Sequence, residues 1–72
     1  MNEHKDLKKR IDYLEIMIGK INTLNLDVLR RLNWQLSECT FKQSVIEFED
    51  KNYKESGYFI GKSLKYFEIS KE

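Results

Sequence analysis

Residues 25–49 carry apolar side chains on two opposite sides of a single predicted helix. At about 100° per residue, one set forms a leucine-rich stripe: Val28, Leu29, Leu32, Leu36, Cys39 and Ile46. A second set falls on the far side and is mostly aromatic: Trp34, Phe41, Val45 and Phe48. A helix that lies on one core needs only one apolar face. The pattern therefore predicts a central helix with neighbours on each side, or a helix that lends one face to another molecule.

Two further helical patterns flank this central segment. In residues 3–21, apolar positions recur at spacings of four and three, as in the seam of a short coiled coil: Leu7, Ile11, Leu14, Ile18 and Ile21. We expect this stripe to pack within its own chain. Residues 53–69 predict a third helix whose main stripe again has heptad spacing: Tyr53, Gly57, Ile60, Leu64 and Phe67. Phe59 and Tyr66 form an aromatic shoulder beside that stripe.

Polar residues that favour caps and turns separate the three patterns. The first break falls at residues 22–25, where Asn25 followed by Asp27 suits the start of the second helix. The second break falls at residues 50–52. We predict an all-α fold, in which helices 2 and 3 form an antiparallel hairpin with the N-terminal helix packed across it. The prediction is one small domain over residues 1–72, completed by oligomerisation.

A β interpretation of residues 40–48 and 58–69 is the alternative, because both segments are rich in aromatic and β-branched residues. Their apolar positions do not alternate as a half-buried strand requires, since Val45 adjoins Ile46 and three apolar residues follow one another at 58–60. Heptad spacing fits these segments better. The chain also contains no proline and only three glycines, which favours helices throughout.

Size and composition favour association with a partner. A chain of 72 residues buries only about 60% of the surface that its unfolded form exposes. One cysteine and one histidine allow neither an internal disulfide nor a Cys/His zinc set. Oligomerisation or docking is then the remaining means of stabilising so small a core. A hydrophobic content of 40% is too high for a disordered chain.

The sequence carries no signal for a membrane or for secretion. Its first residues are charged, and no run approaches the roughly 18 consecutive apolar residues of a membrane span. We expect a cytoplasmic protein that contacts no membrane. The many lysine, isoleucine and asparagine residues are typical of a compact gene from an AT-rich bacterium or its phage.

No set of residues points to catalysis, a cofactor or a metal. Cys39 lies on the leucine-rich stripe and is expected to be a small core residue, whereas a nucleophilic cysteine needs exposure and a nearby base. His4 is expected to be solvated near the N-terminus. Glu47, Glu49 and Asp50 are expected to form a solvated helix end. We predict that the protein is not an enzyme and has no cofactor or metal site.

Small groups of basic residues raise nucleic-acid binding as an alternative function. They lie on the first two helices: Lys5, Lys8, Lys9, Arg10, Arg30 and Arg31. Phosphate binding needs such charges on one surface, but acidic residues are interleaved with them. The net charge is only +1, whereas dedicated polyanion binders are usually strongly basic.

The second turn and the third helix resemble the second half of a tetratricopeptide unit. The residues that match that family's pattern by type are Tyr53, Ser56, Ile60, Ser63 and Leu64. The resemblance implies a helical hairpin and covers about a third of the chain. The preceding helix departs from the pattern, because the family's tryptophan, leucine–glycine and tyrosine positions fall on Thr40, Gln43-Ser44 and Glu47. The sequence also lacks the closing proline and a second unit, so we assign a hairpin and no family.

Together these patterns predict a small helical interaction module: an adaptor, regulator or inhibitor that docks helices against a protein partner and pairs with itself. Aromatic anchors dominate binding energies where they enter pockets. The predicted partner-binding residues are Trp34, Phe41, Val45, Phe48, Phe59 and Tyr66. If the aromatic stripe of helix 2 instead packs under helix 3, the partner surface lies elsewhere.

Overall fold

Three helices make up the described part of the chain. The computed structural model describes residues 3–20 and 25–71 and places α1 at Glu3–Lys20, α2 at Leu26–Glu49 and α3 at Tyr53–Lys71. No strand occurs within these two ranges, so the all-α prediction is confirmed there and the β alternative is wrong. Ile21 and all of the predicted first break at residues 22–25 except Asn25 lie outside the described residues.

Local hydrogen bonds define both ends of α2. The side chain of Asn25 accepts a hydrogen bond from the backbone N–H of Val28 at 3.2 Å, as predicted for an N-cap. At the other end, the N–H of Lys51 donates to Phe48 O and the N–H of Asn52 donates to Glu47 O, which is the Schellman pattern. Lys51 has φ 65°, so a lysine occupies the left-handed position where glycine is usual.

α1 packs on the leucine-rich stripe of α2 and forms the apolar core. Five residues of these two helices are buried together: Ile11, Leu14, Leu32, Leu36 and Cys39. Leu7, Ile18 and Val28 pack against them, and Tyr66 reaches the same cluster from α3. The α1 stripe therefore packs within its own chain, as predicted, and Cys39 is a buried core residue, also as predicted.

α3 packs on α2 along a row of small and polar side chains. The buried residues on the α2 side of this row are Asn33, Ser37, Thr40, Ser44 and Glu47, and those on the α3 side are Ser56 and Ser63. Ser56 Oγ donates to Ser44 O and Ser63 Oγ donates to Ser37 O, each at 2.8 Å. Small side chains let two helices approach closely, and the hydroxyl groups remain hydrogen-bonded where they are buried. We call these seven residues the serine seam.

The serine seam excludes one of the alternatives that the sequence left open, in which the aromatic stripe of α2 has a neighbour from its own chain on the far side of the helix. Instead, α1 and α3 occupy adjacent faces of α2, and the third face remains open. The main stripe predicted for α3 is not buried either, since Tyr53, Ile60 and Leu64 are all exposed. Bulky side chains are excluded from the contact because the two backbones meet through serines.

The serine seam predicts that replacing the small Ser63 of α3 destabilises the protein more than replacing the large apolar Leu64 beside it. Ser63→Leu inserts a large side chain between α2 and α3 and removes a buried hydrogen bond, so it should lower the free energy of unfolding by about 1–3 kcal/mol. Leu64→Ser changes an exposed residue and should shift it by less than about 0.5 kcal/mol. Urea unfolding at low protein concentration measures both. Greater damage from Leu64→Ser than from Ser63→Leu would contradict this packing.

Candidate protein-docking surface

The open side of α2 and the adjoining side of α3 form one apolar surface, which we call the aromatic face. Its members on α2 are Trp34, Phe41, Val45 and Phe48, and those on α3 are Tyr53, Ile60, Leu64 and Phe67. The side chains are well exposed: Trp34 by 47%, Phe41 by 56% and Phe48 by 60%. All except the half-buried Phe67 count as exposed large hydrophobic residues.

Ring contacts join the two stripes at both ends. Trp34 meets Phe67 with ring centroids 5.8 Å apart, and Phe48 meets Tyr53 edge-on at 5.3 Å. Within each helix the remaining members follow at steps of three, four or seven residues, so they lie on the same side as those end contacts. The aromatic face is therefore continuous over both helices. The ammonium group of Lys71 lies 4.7 Å from the Phe67 ring and borders one end.

The aromatic face is as large as the largest apolar patch of a typical monomer, which is often a functional surface. A large aromatic side chain presents about 150–250 Å², and four such side chains are about half exposed here. They contribute on the order of 400 Å² before the aliphatic members are added, whereas the largest apolar patch of a typical monomer is about 300–600 Å² and often functional. The aromatic face therefore has the dimensions of an interaction surface.

The structure divides the six predicted partner-binding residues between two surfaces. Trp34, Phe41, Val45 and Phe48 lie together on the aromatic face. Phe59 and Tyr66 are half-buried on the opposite flank of α3, near α1: Phe59 borders a hollow between α1 and α3, and Tyr66 packs on the core.

Three exposed residues of α3 take the place of that pair: Tyr53, Ile60 and Leu64. Sequence reasoning treated them as the main stripe of α3 and gave them no role in binding. The seven-residue step from Ser56 to Ser63, on one side of α3, is the signal that could have identified the packed face and so assigned this stripe to the outside.

A polar cluster explains why Tyr66 faces α1. Glu15 of α1 accepts hydrogen bonds from Lys62 Nζ at 2.6 Å and from Tyr66 Oη at 2.5 Å. Burial raises the pKa of Glu15, but the two hydrogen bonds and the positive charge of Lys62 outweigh burial and hold the pKa below its ordinary value. The pKa of Tyr66 is raised to about 12. Burial is the largest cause, followed by the hydrogen bond to Glu15 and the negative charge of that carboxylate. The cluster thus joins α1 to α3 on the side away from the aromatic face.

The other candidate features of the sequence do not converge on a site. Within the described side chains, no group of three histidine, cysteine, aspartate or glutamate residues is arranged to hold a metal ion. Glu47, expected at a solvated helix end, is instead buried in the serine seam. Of the helices in the described ranges, none combines the length and apolar character that crossing a membrane requires. His4 lies outside the side chains that the structure describes.

The basic residues point in several directions. Arg10 borders a groove of about 750 Å³ between α1 and α2, whereas Lys8 borders a smaller hollow, of about 290 Å³, between α1 and α3. Arg30 lies 3.8 Å from the carboxylate of Asp27. Lys5, Lys9 and Arg31 are also exposed. The charges proposed for phosphate binding are therefore spread around the molecule.

Comparisons with known proteins add no relative to this description. No protein-family model, curated protein or solved structure matches the chain. The tetratricopeptide-like spacing remains a local resemblance, although its small positions, Ser56 and Ser63, do lie at the contact between α2 and α3.

The polar cluster predicts a defined acid sensitivity. Because the folded pKa of Glu15 lies below its unfolded value near 4.5, the charged carboxylate stabilises the fold above that pH, and this contribution is lost as pH falls through the folded pKa. Glu15→Gln should cost about 1–2 kcal/mol at pH 7. The difference from the parent protein should shrink as pH falls below 4.5. Urea unfolding across pH measures it.

Asp12→Asn is the matched control, since Asp12 is an exposed carboxylate on the same helix. It should leave stability at pH 7 within about 0.5 kcal/mol of the parent value. Equal losses for Asp12→Asn and Glu15→Gln would show that the bonds to Lys62 and Tyr66 contribute nothing specific.

Proposed function

We propose that this protein is a small helical interaction module that acts by docking its aromatic face against helices of a protein partner, and that it also associates with itself. One observation carries the proposal: α2 and α3 place both of their bulky apolar stripes on the same open side. Large exposed apolar patches mark interaction sites. An adaptor, a regulator or an inhibitor would use such a surface in the same way.

The proposed topology is an antiparallel hairpin of α2 and α3 with α1 packed across one side. Contacts that become steadily more distant in sequence support it: Phe48 with Tyr53, Ser44 with Ser56, Ser37 with Ser63 and Trp34 with Phe67. In such a hairpin the serine seam fixes the two helices, so the aromatic face is presented on a preorganised surface. Preorganisation lowers the entropic cost of binding.

The composition of the aromatic face also supports docking. Tryptophan and tyrosine are the side chains most enriched among those that dominate binding energies, and Trp34 and Tyr53 stand at opposite ends of the aromatic face. Charged side chains such as Lys71 occur at its border. An apolar centre with a charged rim is the usual anatomy of a protein interface.

A double substitution tests the aromatic face. Phe41→Ser with Phe48→Ser removes two exposed rings without touching the core, so helicity measured by circular dichroism should be retained. Binding of an environment-sensitive apolar dye should fall severalfold, and sedimentation should show weaker self-association. Tyr13→Ser with Ile16→Ser, also large and exposed but on α1, is the control and should leave both measurements unchanged.

Two outcomes would contradict the proposal. A parent protein that binds no apolar dye at a concentration where sedimentation shows it to be monomeric has no accessible docking surface. Equal effects of the two double substitutions would show that the aromatic face is no different from other exposed apolar residues.

Nucleic-acid binding remains the alternative prediction, and titration with duplex DNA at low and moderate salt tests it. Phosphate contacts make affinity depend steeply on salt. Since the basic residues do not share one surface, we expect no saturable binding at moderate salt. Tight binding that weakens steeply as salt rises would favour the alternative.

A further inference from the structure

We propose that the occupant of the aromatic face is a second copy of this chain, docked face to face so that α2 of one copy lies on α3 of the other. The proposal rests on the proposed function, because it names the partner of the same surface. The resulting pair would place the four helices α2 and α3 of both copies around one apolar layer, with each α1 on the outside. Four observations favour this occupant.

The first observation is that the two apolar stripes are matched in length. The stripe of α2 spans residues 34–48 and that of α3 spans residues 53–67, each about 21 Å at 1.5 Å per residue. A single partner helix would lie along one groove and leave part of this surface uncovered. A second copy presents two stripes of the same lengths at the same spacing. A two-fold axis parallel to the helices brings each α2 onto the α3 of the other copy. The ends of the two copies that carry Trp34 and Phe67 then lie at the same end of the pair.

The second observation concerns two glycines that have no role within the monomer. Gly57 and Gly61 lie inside α3, where each costs about 1 kcal/mol relative to alanine. Neither has positive φ, and a methyl group added at either position would meet no neighbouring atom within 4 Å. Both are exposed beside Ile60 and Leu64, at the border of the aromatic face. They form a low strip along α3 that a second helix can approach closely.

The large side chains in the aromatic stripe of α2 fit against these two glycines. Ser44 lies opposite Ser56 and Ser37 lies opposite Ser63, so Phe41 stands at the level of residue 59, between the two glycines, and Val45 at the level of residue 55. In the face-to-face pair Phe41 of one copy meets the two glycines of the other, and Val45 lies beyond the Gly57 end. A pair with α2 on α2 would set ring against ring and leave glycine against glycine, which packs less well.

The third observation is charge complementarity along the outer borders. The outer border of α2 carries exposed Glu38 and Glu49 together with Arg31 and Lys42, and the outer border of α3 carries exposed Lys54 and Lys65 together with Glu68. With α2 of one copy on α3 of the other, Glu49 comes within one helical turn of the level of Lys54, and Glu38 within one turn of the level of Lys65. Arg31 and Glu68 provide a third opposite pair near the far end. The net charge of +1 adds little repulsion between copies.

The fourth observation is area. A stable specific interface buries roughly 800 Å² on each partner, and about 65% of a homodimer interface is apolar. The four half-exposed rings supply on the order of 400 Å², and Val45, Ile60 and Leu64 add exposed aliphatic surface. The rings thus supply about half of the area that a dimer needs, and the remainder has to come from these aliphatic side chains and from the charged borders.

The glycines provide a test in which helix content and dimer affinity should change in opposite directions. Gly57→Gln with Gly61→Gln places long, helix-favouring side chains into open space, so helix content of the separate chain should rise. The same side chains would keep α2 of the second copy away from α3, so the dimer dissociation constant should rise at least tenfold. Sedimentation equilibrium measures it, supported by the emission of Trp34, the only tryptophan, which should shift to the blue as the parent protein dimerises.

Gly19→Gln is the matched control. Gly19 is also an exposed helical glycine with open space around it, but it lies on α1. Helix content should rise there too, with no change in the dissociation constant. If the double glutamine variant dimerises as tightly as the Gly19→Gln control, no close approach occurs at α3 and the proposal is overturned.

Disulfide trapping tests the arrangement itself. Two variants are prepared separately in a Cys39→Ala background, one with Glu38→Cys and the other with Lys65→Cys. When they are mixed and oxidised, a disulfide dimer of one chain of each should form. Lys42→Cys, on α2, should form little disulfide with itself. A dominant disulfide between two Lys42→Cys chains, with none in the mixture, would place α2 on α2 and contradict the proposed arrangement.

The two proposals fail in different ways. A parent protein that stays monomeric at millimolar concentration, yet binds an apolar dye that the Phe41 and Phe48 substitutions abolish, would overturn the second copy as occupant and leave the docking surface in place. A monomer with no dye binding would overturn both.

Discussion

The serine seam between α2 and α3 determines which side chains this protein presents to its surroundings. Two helices that approach through Ser37, Ser44, Ser56 and Ser63 have no room between them for rings, so the bulky stripes of both helices face outwards. The hydrogen bonds from Ser56 and Ser63 to carbonyl groups of α2 keep the buried hydroxyls satisfied. The aromatic face thus follows from a helix contact that is itself polar.

Periodicity predicted the elements and one of the two helix contacts. The seam of α1 and the leucine-rich stripe of α2 pack on each other as their spacing indicates, because apolar burial is the signal that periodicity detects. The same rule misplaced α3: its heptad stripe is exposed and its serines are buried. Hydrophobic periodicity counts serine as polar, so it passed over the seven-residue step from Ser56 to Ser63 that marks the packed side of α3.

The sequence identified only part of the candidate site. Trp34, Phe41, Val45 and Phe48 were identified because they lie off the leucine-rich stripe. Phe59 and Tyr66 were grouped with them only because they are aromatic and lie beside the main stripe of α3. The position of Tyr66 follows from a specific polar contact, the hydrogen bond that its hydroxyl group donates to Glu15. This bond joins residues 51 positions apart in the chain and leaves no local trace in the sequence.

A contact made of hydroxyls has a thermodynamic consequence. The heat capacity of unfolding grows with newly wetted apolar area and is reduced by newly wetted polar area. A lone chain already shows the rings of its aromatic face to water, and its serine seam adds polar area when it opens. Its stability curve against temperature should therefore be unusually flat, with a broad melting transition. Covering the same rings would steepen that curve, so calorimetry distinguishes a solitary chain from an associated one.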